Sequence, residues 1–96
     1  HVEYVGDPNA RCQTVGIGCG SAADLIRPAA ELGCDVFITG EARFHDQLAA
    51  EGKTHLILAG HYATERFAVE TLAERMSTHW PDIACWASRD ERDPAR

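Results

Sequence analysis

Hydrophobic and polar positions follow one another in blocks that predict strands and helices in turn. Short apolar runs bounded by glycine or turn residues predict strands at residues 2–5, 13–17, 35–39, 55–59 and 83–87. Between them, apolar residues three and four positions apart predict helices at 21–32 and 41–51, and a longer one that follows Gly60 and ends before Trp80. This alternation predicts a single α/β domain over residues 1–96, with a mostly parallel sheet and helices packed on it. The near-continuous apolar runs further indicate strands buried on both faces.

The first helix carries two local signals of where it begins. Ser21 followed by Asp24 resembles a capping box, with aspartate in place of the usual glutamate or glutamine. Pro28 lies inside the helical pattern, so we expect a helix that is either kinked or begins later than Ser21. The residues predicted to pack on the sheet are Leu25, Ala29 and Leu32 in the first helix, Phe44, Leu48 and Ala49 in the second, and Phe67, Leu72, Ala73 and Met76 in the third.

Length and charge narrow the classes of partner. A chain of 96 residues can bury one modest core. Nine basic against fifteen acidic residues give a net charge of −6, and the cations are scattered rather than gathered in a stripe, so we do not expect nucleic-acid binding. No apolar run approaches the roughly 18 to 20 residues of a membrane span, and we expect no membrane partner.

The four cysteines indicate whether the protein is found in an oxidising or a reducing cellular compartment. They are Cys12, Cys19, Cys34 and Cys85, and no two form a CxxC pair, so a structural zinc site is not expected. An even number permits disulfides. Three of the four lie in or beside apolar runs, where a reduced cysteine acts as a small hydrophobic residue, and we therefore expect free thiols and a cytoplasmic protein.

Candidate chemistry lies in the loops that follow the predicted strands. The carboxyl ends of parallel strands share one edge of a sheet, so the loops at 18–21, 39–45 and 60–65 are expected to converge. Glu41 and His45 are four residues apart, as are His61 and Glu65, and one helical turn would bring each imidazole beside a carboxylate. That set of ligands suits zinc, iron or manganese. The alternative is a glutamate that favours the helix dipole, with a histidine nearby by chance.

Four segments together resemble a known family. They are GCGS at 18–21, VFITGE at 36–41 followed by HD at 45–46, GHYATER at 60–66, and SRDERDP at 88–94. In this order and spacing they resemble the C-terminal region of the Nif-three-like dinuclear-metal proteins, also called GTP cyclohydrolase 1 type 2 homologs. The resemblance extends over residues 15–94, which is most of the chain.

The resemblance implies an α/β fold, subunits assembled into a toroidal hexamer, and two metal ions per complete subunit held by histidines and acidic residues. By position, His61 and Glu65 match metal ligands of the family's C-terminal region. Glu41 and His45 match a motif beside that site and are not carried over as ligands. Cys19 departs from the family, which usually has glycine there.

A second departure concerns the remaining ligands. The family's N-terminal half supplies an adjacent pair of histidines and an acidic ligand, and this chain has no His-His pair. His61 and Glu65 alone cannot complete two four-coordinate sites. We therefore expect either a C-terminal fragment, which His1 as the first residue favours, or a short relative whose metal binding is weakened or lost.

Two functional hypotheses follow. In the first, the chain is the C-terminal domain of a metal-dependent, hydrolase-like protein, in which the metal lowers the pKa of a bound water and His45 is a candidate acid or base. The family's label suggests opening of the GTP ring, but nothing in these residues indicates a guanine pocket. In the second, the chain is a non-catalytic module that forms homo-oligomers and retains a vestigial metal site.

Overall fold

The computed structural model describes residues 1–94 and contains one four-stranded sheet and three α-helices. The strands are β1 (Glu3–Val5), β2 (Val15–Gly18), β3 (Val36–Thr39) and β4 (His55–Leu58). The helices are α1 (Ile26–Glu31), preceded by a 3-10 turn (Ala23–Leu25), α2 (Phe44–Ala50) and α3 (His61–His79). The strand order is β1-β4-β3-β2, with β2, β3 and β4 parallel and β1 antiparallel to β4. The predicted α/β class with a mostly parallel sheet is confirmed.

The core lies on one face of this sheet. Successive residues of a strand point to opposite faces, and Phe37 and Leu56 lie on the face that α1 and α2 cover. Leu56 is completely buried in the middle of β4. The buried hydrophobic cluster consists of Ala22, Ile26, Ala29, Phe37, Ala50 and Leu56. Two of the three buried residues of α1 and α2 are alanines, Ala29 and Ala50.

The opposite face of the sheet is open in the described residues. Ile17 is 72% exposed and Tyr4 is 61% exposed, although their strand partners Ile38 and Ile57 lie beside them on the same face. Both short helices cover the other face, and α3 contributes no buried residue. The expectation that the strands are buried on both faces is therefore wrong for residues 1–94.

Ala29 is buried as predicted, but the large apolar side chains that were predicted to pack on the sheet in all three helices are exposed. Leu32 is 84% exposed and Phe44 is 75% exposed, whereas Ile26 and Ala50 are buried. The first helix begins at Ile26, so Pro28 falls in its first turn, where a backbone N–H has no partner within the helix. The later start is confirmed, and Leu32 is the residue that directly follows the helix.

The predicted capping box is wrong. The residue that precedes the 3-10 turn is Ala22, and no side chain caps the turn. Ala22 belongs to the buried cluster, and its N–H donates to the Thr39 hydroxyl at 3.3 Å. Packing against the sheet thus takes the place of the Ser21 cap.

The predicted strand at 83–87 is also wrong, because this segment runs along α3. Its carbonyl groups accept hydrogen bonds from side chains of that helix: Ser77 Oγ donates to Cys85 O at 3.1 Å, and Arg66 Nη2 donates to Ser88 O at 2.8 Å. The sheet edge beside β4 is already occupied by β1. The segment therefore does not pair with β4.

Two observations concern the predicted cellular location of the protein. All four cysteines are free. Across residues 1–94, the structure has no helix with the length and hydropathy that crossing a membrane requires. The cytoplasmic location stays a prediction.

Candidate metal centre

The loops that follow β2 and β3 meet the first turn of α3 at one edge of the sheet. The carbonyl oxygen of Gly20 accepts hydrogen bonds from Gly40 N at 2.9 Å, from Glu41 N at 3.0 Å and from the Thr39 hydroxyl at 3.1 Å. Gly20 N in turn donates to the hydroxyl of Thr64 at 2.9 Å. Hydrogen bonds therefore fix the positions of the three loops that the sequence predicted to converge.

Two glycines allow the loops after β2 and β3 to lie this close to the first turn of α3. A Cβ on Gly40 would lie 2.5 Å from the carbonyl oxygen of Gly20 and 2.8 Å from the Cα of His61. A Cβ on Gly20 would collide with the carboxylate of Glu65 and lie 3.0 Å from Nε2 of His61. Gly20 also has a positive φ of 63°, which favours glycine. Gly20 is a residue of the site that sequence reasoning missed, since a glycine after a strand signals only a turn.

His61, the first residue of α3, lies between two carboxylates. Its Nδ1 is 2.9 Å from Oε1 of Glu41, and its Nε2 is 3.1 Å from Oε2 of Glu65. Glu65 follows one turn later on the same helix, whereas Glu41 comes from the loop between β3 and α2. The three side chains are each about half exposed, so water and ions reach them.

These contacts set the protonation of the histidine. The hydrogen bond to the Glu41 carboxylate raises the pKa of His61 above its ordinary value, and the negative charge of Glu65 adds to the effect. A metal ion would compete with the proton on Nε2, because both are attracted by the same negative charges.

The spacing of the donors fits two ligands of one metal ion. Two donors about 2.1 Å from a tetrahedral ion lie roughly 3.4 Å apart, and Nε2 of His61 lies 3.1 Å from Glu65 Oε2. Gly20 has no side chain, and the Glu65 carboxylate lies where a Cβ on residue 20 would be, next to Nε2 of His61. No group of three or more His, Cys, Asp or Glu side chains within residues 1–94 is arranged to hold a metal ion. The described chain thus presents two donors, fewer than a closed site needs.

His45 lies apart from this arrangement. Helix α2 begins at Phe44, so Glu41 precedes the helix and does not share a helical turn with His45. The expected pairing of Glu41 with His45 is wrong, because Glu41 contacts His61 instead. His45 is exposed and its Nε2 lies 3.6 Å from Oδ1 of Asp46. Its role as an acid or base stays a prediction.

A cavity of about 340 Å³ opens beside the pair of donors. Helix α3 forms one wall and the C-terminal segment forms the other, where the hydroxyl of Tyr62 donates to Glu91 O at 3.2 Å. The lining includes His61, Tyr62, Glu65, Arg66, Glu91 and Pro94. Residues 91–94, which follow the predicted strand at 83–87, therefore enclose space next to His61.

Comparison with known proteins decides the family. The sequence profile of Duf34/NIF3 (NGG1p interacting factor 3) matches residues 1–94. The chain belongs to the Duf34/NIF3 family. The resemblance stated from the sequence is thereby confirmed.

Relatives in this family are longer than the chain. A GTP cyclohydrolase 1 type 2 homolog of Neisseria meningitidis serogroup B is 36% identical over 94 residues, which cover 95% of this chain and 36% of the relative. A GTP cyclohydrolase 1 type 2 homolog of Deinococcus radiodurans is 43% identical over 74 residues, or 74% of this chain and 27% of the relative. The chain thus spans about a third of the length of these family members.

Solved structures agree with the family assignment. Staphylococcus aureus protein SA1388 superposes with a TM-score of 0.81 at 28% identity, over all of this chain and 29% of that protein. A Bacillus cereus protein related to NIF3 superposes with a TM-score of 0.79 at 21% identity, over all of this chain and 28% of that protein, and supports the fold alone.

Proposed function

We propose that the chain is part of a metal-binding, hydrolase-like protein in which His61 and Glu65 are two ligands of a divalent metal ion. The observation that carries the proposal is the 3.1 Å approach of the His61 and Glu65 side chains, for which the missing side chain of Gly20 makes room. Imidazole and carboxylate ligands suit zinc, iron or manganese. Two ions per complete subunit, as the family resemblance implies, is part of the proposal.

The remaining ligands of such a site come from outside the described residues, because residues 1–94 present only two donors for one ion. A bound divalent ion of this kind supplies a water of lowered pKa, which is a nucleophile near neutral pH. His61 and Glu65 hold the ion, and the adjoining cavity gives a substrate access to it. His45, on α2, remains our candidate for a proton donor or acceptor.

The test uses Mn²⁺ as a paramagnetic probe in nuclear magnetic resonance of the 96-residue chain. We expect weak binding that broadens the ring signals of His61 before those of the other histidines, because two ligands give low affinity. Glu65→Gln should remove this preference. Glu70→Gln is the matched control, since Glu70 is also half exposed on α3 but pairs with Arg66.

Two results would contradict the proposal. One is Mn²⁺ broadening that is equal in the wild type and Glu65→Gln. The other is nanomolar zinc affinity in calorimetry that is lost in His61→Ala, because the chain would then complete its own site and the two-ligand reasoning would fail.

A second candidate function is self-association, and the open face of the sheet favours it. Parallel sheets are normally covered on both faces, and here Tyr4, Ile17 and Ile57 lie on an uncovered face. We propose a second copy of this chain as the occupant, because the exposed face is apolar and two copies can bury the same residues against each other. A hexamer is the assembly that the family resemblance implies.

Sedimentation velocity over a range of concentrations tests the association. We expect oligomers in the wild type and monomers for Ile17→Asp, which places a charge on the face. Leu32→Asp is the control, because Leu32 is at least as exposed as Ile17 but directly follows α1 and lies outside the sheet. A monomer at every concentration would contradict self-association through this face.

A further inference from the structure

The imidazole of His61 is held at both of its nitrogen atoms, and the two contacts are not equivalent. Glu41 approaches Nδ1 at 2.9 Å, and Glu65 approaches Nε2 at 3.1 Å. The two ring nitrogens point to different sides of the ring, so one ion cannot bind Nε2 and also contact the Glu41 carboxylate in this arrangement. The two carboxylates are therefore suited to different tasks.

Gly20 lies on the Nε2 side of the ring. The three atoms nearest to a Cβ on Gly20 would be Oε1 and Cδ of Glu65 and Nε2 of His61, so the missing side chain makes room for the Glu65 carboxylate beside Nε2. Glu65 is therefore the carboxylate placed to share an ion with Nε2.

Hydrogen bonds hold the backbone of Glu41 on the Nδ1 side of the His61 ring. Its N–H donates to Gly20 O at 3.0 Å, and the neighbouring Gly40 N donates to the same oxygen at 2.9 Å. Gly60 N, directly before His61, donates to Gly40 O at 2.8 Å. These hydrogen bonds fix the loop that carries Glu41 relative to the start of α3, so its carboxylate lies at a set distance from the ring.

We infer that Glu41 is a positioning residue for His61: it accepts a hydrogen bond from Nδ1–H, and so leaves Nε2 as the nitrogen that binds metal. The inference rests on the proposed metal site. A histidine ligand commonly donates its second ring N–H to a carboxylate, which fixes the tautomer and the orientation of the ring. Glu41 is the carboxylate that accepts from His61 here. It lies in the loop between β3 and α2, whereas both proposed ligands lie on α3.

The first test determines which nitrogen carries the proton in the zinc-loaded chain. Long-range proton–nitrogen correlation spectra of ¹⁵N-histidine-labelled chain with excess Zn²⁺ should show the His61 proton on Nδ1 and the metal on Nε2. A proton on Nε2 with the metal on Nδ1 would overturn the inference while leaving a metal site in place. If zinc changes no signal of His61, both the inference and the proposed function fail.

The second test compares zinc affinity among three variants. Glu65→Gln should lose most of the affinity, because a ligand is replaced. Glu41→Gln should stay near the wild type, because its amide oxygen still accepts from Nδ1–H, whereas Glu41→Ala should weaken binding about 10- to 100-fold. Equal losses in Glu41→Gln and Glu65→Gln would show that Glu41 is itself a ligand and would overturn the inference. Glu41→Gln retains the side-chain shape, so this comparison stands even if Glu41→Ala fails to fold.

Discussion

Replacing Gly40 with alanine introduces a methyl group where three loops of the molecule already touch. The new Cβ would lie 2.5 Å from the carbonyl oxygen of Gly20, and 2.8 Å from both the Cα of His61 and the hydroxyl of Thr64. Two of these three atoms belong to the backbone and cannot rotate away. Gly40 does not have a positive φ, so the contact itself is the main cost.

The expected loss of stability in Gly40→Ala follows from the contacts that the new methyl group would displace. Forcing a methyl group into a close-packed site costs about 1–3 kcal/mol. Moving the Gly20 carbonyl weakens the hydrogen bonds from Gly40 N and Glu41 N, each of which contributes about 1 kcal/mol. Alanine also stiffens the unfolded chain, which offsets about 0.4–1 kcal/mol. We therefore expect Gly40→Ala to lower the free energy of unfolding by about 2–4 kcal/mol.

Urea unfolding followed by far-ultraviolet circular dichroism measures this change. Gly33→Ala is the matched control, because Gly33 has a φ of 78° and no atom within 4 Å of its added Cβ. The control carries only the cost of the left-handed backbone, about 1–2 kcal/mol before the same offset. If Gly40→Ala is no more destabilising than Gly33→Ala, the three loops do not meet as described.

Three further predictions concern stability and the cysteines. Leu56→Ala should lower the free energy of unfolding by about 2–5 kcal/mol, because Leu56 is fully buried; a loss below about 1 kcal/mol in the same urea assay would contradict this core. Hydrogen bonds from Gln13 N, Thr14 N and the Thr14 hydroxyl hold the pKa of Asp35 below its ordinary value, so its stabilisation is present above about pH 4 and is lost as the pH falls further. Thermal melts between pH 5 and pH 2 should therefore show a steeper loss for the wild type than for Asp35→Asn, and parallel curves would refute this. Thiol counting on the denatured chain without reductant should find four free thiols, and two or fewer would contradict the reduced state.

The order of the elements was predictable, but the buried sides of the helices were not. Strands β2, β3 and β4 follow from short apolar runs bounded by turn residues, although the similar run at 83–87 forms no strand. In α1 the burial of Ala29 was predicted, but the burial of Ile26 and Ala50 was not, and Leu32 and Phe44 are exposed. Periodicity gives weight to large apolar side chains and assumes that they pack on the sheet. That assumption fails for Leu32 and Phe44 within residues 1–94.

The site was predictable only in the part that is local in sequence. His61 and Glu65 are one helical turn apart, so their approach follows from the helix. The contact of Glu41 with His61 joins residues 20 positions apart and depends on the register of β3 with β4. The proximity of Gly20 depends in addition on β2 pairing with β3. These distances are set by tertiary structure, which no local pattern encodes.

An anomalous difference map from crystals of the chain soaked with zinc would locate the bound ion directly. We predict a peak about 2.1 Å from Nε2 of His61 and from one carboxylate oxygen of Glu65, with Glu41 still hydrogen-bonded to Nδ1. Zinc bound elsewhere on the protein, with the contact between His61 and Glu65 unchanged, would contradict it.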